Sequence, residues 1–339
     1  MGTLRHAIFG AARACVLAGA IGLTACATAL QFAPFTPRAA AGAQFETAAF
    51  ISYDGARLPG EHWRADADEP AVVVLALHGI NSSARAFDPL ATWLSRRGVE
   101  TYAFDGRGFG RSPFRGAWVG QAVMAADARA ALLALRKRHP ETPIAVLGGS
   151  LGAAQAIVAF ADPDAPQPDR LILVSPGVMG WDHLPFGMAP LLRTGALLTP
   201  WMTLAPTPEM ERNQPATNNP AAREYQQRDP LRIQQTRIDV LAGAMDLMEK
   251  ANSAIARLQA PTAFLYGAKD HVIDQRALRE AAARLPAGSH VAMYPEGHHL
   301  LLRDLEAEAV YADILSFLTA PGAVLASGRA ADGFHEKQR

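Results

Sequence analysis

Short, almost wholly apolar runs separated by amphipathic stretches limit the fold of this chain more than any other feature. The runs occupy 72 to 77, 99 to 104, 144 to 147, 170 to 174, 262 to 266 and 290 to 294. Helical spacing appears between them, at roughly 84 to 97, 119 to 138, from Leu151 onward, at 275 to 284, and in a last helix ending near Leu318. A strand with no polar face must be covered on both sides, so this alternation predicts βαβ units and a mostly parallel sheet with helices on both faces. Ahead of it, 47 to 52 and 57 to 64 flank Tyr53-Asp54-Gly55, which predicts an opening β-hairpin. The rhythm breaks from Pro176 to about Leu258, and its resumption at 262 makes residues 176 to 258 an inserted helical lid. The core is then 47 to 175 together with 259 to 320.

Gly148-Gly149-Ser150-Leu151-Gly152 follows an apolar strand and opens a helix, which is the setting a G-x-S-x-G nucleophile elbow requires. A serine hydroxyl needs a histidine base, and that base needs a carboxylate to fix its tautomer. Asp270 stands just past the strand at 262 to 266, and Asp274 is a weaker alternative. His298 and His299 both follow the strand at 290 to 294, and chemistry alone does not separate them. Acyl transfer also needs N–H donors for the oxyanion: Leu151 is placed to supply one, and Ile80, in His78-Gly79-Ile80-Asn81 after the strand at 72 to 77, the other. His78 itself is read as structural rather than as a proton carrier.

The chain resembles the α/β-hydrolase superfamily on these motifs, and within it the monoacylglycerol lipase and lysophospholipase-like serine hydrolases, over about residues 50 to 320. Asp105-Gly106-Arg107-Gly108-Phe109-Gly110-Arg111-Ser112 is similar to that family's D-x-R-G-x-G-x-S loop. The family's histidine is followed by x-L-x-x-D or E, a pattern matched by His299-Leu300-Leu301-Leu302-Arg303-Asp304. The resemblance therefore implies the set Ser150, Asp270 and His299. It departs at Gly149, where relatives often carry a larger residue, and at Asn81, where lipase-like relatives often have glycine.

Arg5, His6 and Arg13 precede an apolar run from 14 to 23 that ends in small residues, the order of a secretory signal. Leu23-Thr24-Ala25-Cys26 resembles a bacterial lipobox, which implies cleavage after Ala25 and lipidation of Cys26; the other reading is an ordinary signal peptide. Residues 26 to 46 would then be a tether, and 321 to 339 a flexible tail. The expected location is the bacterial cell envelope, facing the periplasm or the outside. Both cysteines of the chain, Cys15 and Cys26, lie in this leader, so the folded part can form neither a disulfide nor a thiolate metal site.

Lys+Arg and Asp+Glu each total 32, and this balance offers no field for nucleic acid. No cofactor fingerprint or metal-ligand spacing is visible, so no cofactor or metal is expected. The substrate expected is an acyl ester or lysolipid. Met179, Trp181, Leu184, Phe186, Met188, Leu191, Leu192, Leu197, Leu198, Trp201 and Met202 make the lid's start apolar, either to line an acyl-chain tunnel or to pack the lid on the core. Rival readings are an aminopeptidase, with Glu209 or Glu211 holding an amine, a cofactor-free perhydrolase, and a non-catalytic binding protein on the same fold.

Overall fold

The computed structural model describes residues 30 to 329 apart from 31 and 37. Cys26, the expected signal segment and residues 330 to 339 lie outside the described residues. Numbered along the chain, the strands are β1 (Gln44–Glu46), β2 (Ala49–Ile51), β3 (Arg57–Trp63), β4 (Val72–Leu77), β5 (Val99–Phe104), β6 (Ile144–Gly149), β7 (Arg170–Val174), β8 (Thr203–Leu204), β9 (Thr236–Arg237), β10 (Thr262–Gly267) and β11 (His290–Tyr294). Nine of them form one sheet in the order β1-β2-β3-β5-β4-β6-β7-β10-β11, while β8 and β9 pair separately. The sheet is antiparallel from β1 to β5 and parallel from there to β11.

Every residue of β4 is buried, as a strand covered on both faces demands. Its alternate residues Val72, Val74 and Ala76 pack with Leu90 and Leu94 of α1 (Asp88–Ser95) and with Val310 and Phe317 of α9 (Ala307–Thr319). Each of these Val, Leu and Phe side chains removed from water contributes about 1.5–3 kcal/mol. On the other face lie α2 (Gln121–Arg138), α3 (Leu151–Phe160) and α7 (Ile238–Ala254), which pack on one another. The cap contains α4 (Met188–Leu198), α5 (Pro208–Asn213) and α6 (Pro220–Arg228); α8 (Gln275–Ala282) follows β10.

Three expected boundaries move. The sheet begins inside the stretch expected to be a tether, because Gln44 to Glu46 pair with Ala49 to Ile51, and Ala40 and Ala43 are buried. The inserted segment divides: α7 packs on α3 as part of the covering layer, so only the stretch up to β9 departs from the sheet domain. The expected tail is held as far as Ser327, whose N–H and hydroxyl both donate to the buried Asp313 carboxylate at 2.6 Å. Tyr294 donates its hydroxyl to the same carboxylate at 2.7 Å.

Candidate active site

The parallel strands β4, β6, β10 and β11 end on one edge of the sheet, and the loops that follow them carry Ile80, Ser150, Asp270 and His299. A sharp turn leads from β6 into α3, with Ser150 at φ 53° and ψ −117°. A side chain in that region costs about 1–3 kcal/mol and persists only where the surroundings over-determine it. Here Ser150 N–H donates to Val174 O at 2.9 Å, and Ser150 O accepts from Ala153 and Gly177 N–H at 3.0 Å each. The elbow also needs close approach: a Cβ on Gly152 would lie 2.0 Å from Leu77 O, and one on Gly148 2.5 Å from Ala153 Cα. Gly149 has no such duty, since a Cβ there would meet nothing within 4 Å.

His299 Nε2 lies 2.9 Å from Ser150 Oγ, and its Nδ1 lies 2.8 Å from Asp270 Oδ2. The other oxygen of Asp270 accepts from Val272 N–H at 2.8 Å and Ile273 N–H at 3.0 Å. Burial pushes the Asp270 carboxyl upward, but the charge and hydrogen bond of His299 and the two N–H donors outweigh it and hold the group below the usual carboxylate range. Asp270 is therefore an anion whose second oxygen fixes Nδ1–H on His299, leaving Nε2 to accept from the serine hydroxyl.

The alternatives are occupied elsewhere. His298 Nδ1 bonds Glu296 O at 3.0 Å, and its N–H donates to Asp304 Oδ2 at 2.7 Å. Asp274 caps α8, accepting from Arg276 and Ala277 N–H. The loops bearing Asp270 and His299 are pressed together at two glycines that no sequence motif singles out: a Cβ on Gly267 would lie 2.2 Å from Gly297 O.

Beside the serine runs the loop after β4. A Cβ on Gly79 would lie 3.2 Å from Ser150 Cβ, so the backbone reaches Ser150 closely. Among the described residues neither Ile80 nor Leu151 N–H has a hydrogen-bond acceptor, and Leu151 stands at the positive end of α3. Asn81 takes φ 60°, a left-handed conformation that asparagine tolerates and glycine adopts freely, which accounts for the residue found there. Its side-chain amide donates to Thr236 at 2.6 Å and its carbonyl accepts from Ile233 N–H at 3.0 Å, tying the loop to the cap.

His78 joins two loops through its two ring nitrogens. Its Nδ1–H donates to Gly79 O at 2.8 Å, and its Nε2 accepts from Gly106 N–H at 2.9 Å. Burial pushes its pKa down, so it is a neutral imidazole. The Asp105 to Ser112 loop is structural throughout: Arg107 makes a fork to Asp54 at 2.8 Å per arm and bonds Asp127 at 2.8 and 2.9 Å. Asp105 accepts from Ala84 and Arg111 N–H.

A cavity of about 780 Å³ opens in front of Ser150 and His299, with Gly79, Ile80 and Asn81 on one wall. None of the eleven apolar residues at the lid's start lines it. Several face solvent instead, with Leu197 81% and Trp201 62% exposed, and no residue of α4 is buried. Neither expectation for that stretch describes most of it. Glu211 lies on the cavity wall and Glu209 does not. Four arginines absent from the sequence-based candidates, Arg212, Arg223, Arg232 and Arg303, also line the cavity; no motif in the sequence marks them.

A mostly parallel sheet, covering helices and these loops on one strand edge define the α/β-hydrolase fold. The chain belongs to the hydrolase family described as serine aminopeptidase, S33, whose signature spans residues 68–306. It is 23% identical over 273 residues to a monoacylglycerol lipase of Mycolicibacterium smegmatis, which covers 80% of this chain and 96% of that protein. Among solved structures it is similar to a monoacylglycerol lipase of Paleococcus ferrophilus, at TM-score 0.64 and 22% identity, over 78% of this chain and 99% of the other. A soluble variant of monoglyceride lipase from Saccharomyces cerevisiae, solved with a substrate analog, aligns at TM-score 0.68 and 19% identity over 86% and 100%. At these identities the structural likeness establishes the fold.

Proposed function

We propose that this protein is a serine hydrolase that cleaves carboxylic esters of monoacylglycerol or lysophospholipid type through an acyl-enzyme. The observation that carries the proposal is the hydrogen-bonded chain from Ser150 Oγ through His299 to Asp270, with both links under 3 Å. In the first half-reaction Ser150 Oγ attacks the ester carbonyl carbon while His299 Nε2 takes its proton. The carbonyl oxygen becomes an oxyanion, for which Ile80 and Leu151 supply the free N–H donors. His299 then passes the proton to the departing alkoxide, and the alcohol leaves an acylated Ser150. In the second half-reaction His299 takes a proton from water, whose oxygen attacks the acyl carbon, and returns it to Ser150 as the acid departs.

The activity of the mycobacterial relative supports an acylglycerol-like substrate. So does the exposed apolar face of α4, since a surface of that kind suits a lipid surface better than water. Lipidation at Cys26, which would hold the enzyme at the cell envelope, is part of the same proposal. Palmitate labelling of the full chain that persists in Cys26→Ser would overturn that part.

The family description brings the aminopeptidase reading forward, but an amine needs carboxylates, and the cavity carries four arginines against Glu211 and Asp229. The deciding assay compares p-nitrophenyl esters from acetate to palmitate with aminoacyl p-nitroanilides, for the native chain and Ser150→Ala. Ester hydrolysis that disappears in Ser150→Ala supports the proposal. Cleavage of anilides alone moves the protein to the aminopeptidase reading, and inertness toward both to a non-catalytic one.

A further inference from the structure

The cavity in front of Ser150 carries an excess of positive charge that the chain does not use internally. Arg212 on α5, Arg223 on α6 and Arg232 in the loop before β9 come from three separate elements of the cap and meet on this one cavity. Among the described residues, none of the three has a carboxylate within salt-bridge distance or an acceptor for its guanidinium. Arg107, Arg111 and Arg136, by contrast, are all paired with aspartates at 2.7–2.8 Å. The fourth cavity arginine, Arg303, is partly satisfied by the carbonyls of Arg85 and Ala86 and stacks 4.8 Å from the centre of the Tyr225 ring.

The position of Arg232 is held from behind. Arg115 donates to the carbonyls of Leu231 at 2.9 Å, Pro230 at 3.0 Å and Arg232 at 3.3 Å, which fixes the backbone under Arg232 and leaves its side chain free. The next residue, Ile233, bonds Asn81 O at 3.0 Å, so Arg232 stands one residue from the loop that borders the nucleophile. Two carboxylates, Glu211 and Asp229, share the wall with four arginines, although the whole chain has equal numbers of acidic and basic residues. Arginine's planar fork matches the oxygens of phosphate and carboxylate, and with Arg212 and Arg223 exposed and Arg232 half-buried these forks are open to a group entering the cavity.

Resting on the reading of Ser150 as the nucleophile, we propose that Arg212, Arg223 and Arg232 bind an anionic oxyacid group, phosphate or carboxylate, on the part of the ester that reaches the cap. The preferred substrate is then an anionic acyl ester rather than a neutral acylglycerol. The glycerol hydroxyls of a neutral monoacylglycerol would leave three cations without a counter-charge, whereas an anionic group satisfies them on binding.

The test measures kcat/KM for the octanoyl esters of glycerol, glycerol 3-phosphate and 3-hydroxypropanoate, with the native chain and the triple variant R212Q/R223Q/R232Q. Reading the ratio of anionic to neutral ester cancels any general loss from imperfect folding. One anionic ester is expected to exceed the neutral one by about tenfold, and the ratio to fall about fivefold or more in the triple variant, the sizes expected of charge-assisted bonds in a partly solvated site. Added salt should erode the ratio in the native chain. Which anionic ester leads identifies phosphate or carboxylate as the group. A native ratio of one or less overturns the proposal, as does a ratio unchanged in the triple variant. Should no ester be cleaved, the hydrolase reading fails separately. Calorimetric binding of the ether 1-O-hexylglycerol 3-phosphate still tests the arginines: binding no tighter than that of neutral 1-O-hexylglycerol, or undiminished in the triple variant, overturns their role.

Discussion

The strand edge and the cap are built on opposite terms. At the edge Ser150, Asp270 and His299 are held by short hydrogen bonds, and the backbones around them approach so closely that Gly152 and Gly267 admit no side chain. In the cap no residue of α4 is fully buried, Phe186, Leu191, Leu197 and Trp201 lie open, and three arginines stand unpaired among the described residues of the cavity. The difference assigns the two halves of an enzyme's task to two kinds of structure. The Ser150–His299–Asp270 chain sits on a sheet edge that cannot shift without breaking the core, and the unpaired arginines sit on an insert fastened to that edge at a few points, Thr217 to Asp304 and Asn81 to Thr236 among them.

The contrast breaks first at the proton relay. His299→Ala should lower kcat/KM on p-nitrophenyl butyrate by about four orders of magnitude, whereas His298→Ala should cost less than about tenfold. Equal losses in the two would mean that the loop, not the relay, carries the effect.

Arg107→Ala comes next, because it strips the buried Asp127 of its cation. It should cost about 3–5 kcal/mol in chemical denaturation, and a loss below about 1 kcal/mol would show that the pair is not a structural tie of the sheet domain. Gly152→Ala should cost about 2–3 kcal/mol by overpacking against Leu77 O, while Gly149→Ala, facing open space, should stay within about 0.5 kcal/mol. Similar values for both would contradict the close packing at the elbow.

A smaller effect is expected on acidification. Asp270 has a lower pKa folded than unfolded, so the unfolded chain takes up its proton first as pH falls. The stability from this group is therefore complete above the unfolded value of about 4 and is lost as pH drops through the folded value. The denaturation midpoint of the native chain should fall more steeply over that window than that of Asp270→Asn; parallel curves would remove Asp270 as the source. The smallest effect belongs to the cap: Leu197→Ser and Trp201→Ser should each change stability by less than about 0.5 kcal/mol, since neither side chain is buried. A cost of 2 kcal/mol or more, on the order of a large core truncation, would place that face inside the packed core.

Much of the sheet is legible in the amino-acid sequence. The strands β4, β5, β7 and β11 begin and end where the apolar runs do, because a largely buried strand writes itself as a mostly apolar run. β6 and β10 extend to Gly149 and Gly267, where the run stops being apolar but the backbone ladder continues. β1 is not legible, since Gln44 to Glu46 is partly polar and becomes a strand only by pairing with β2. The apolar stretch from Met179 to Met202 misleads because composition does not say whether an apolar face has anything to cover it.

By itself the sequence determined the order of strands and helices and the loops on which Ser150, Asp270 and His299 fall, since periodicity and turn chemistry act over a few residues at a time. The family's histidine pattern already pointed to His299 over His298, and only the tertiary structure decided that Asp274 is spent on capping α8 and that Arg212, Arg223, Arg232 and Arg303 line one cavity. Those outcomes depend on side-chain direction and on contacts between residues far apart in the chain. Such contacts are set by packing, which no local pattern records.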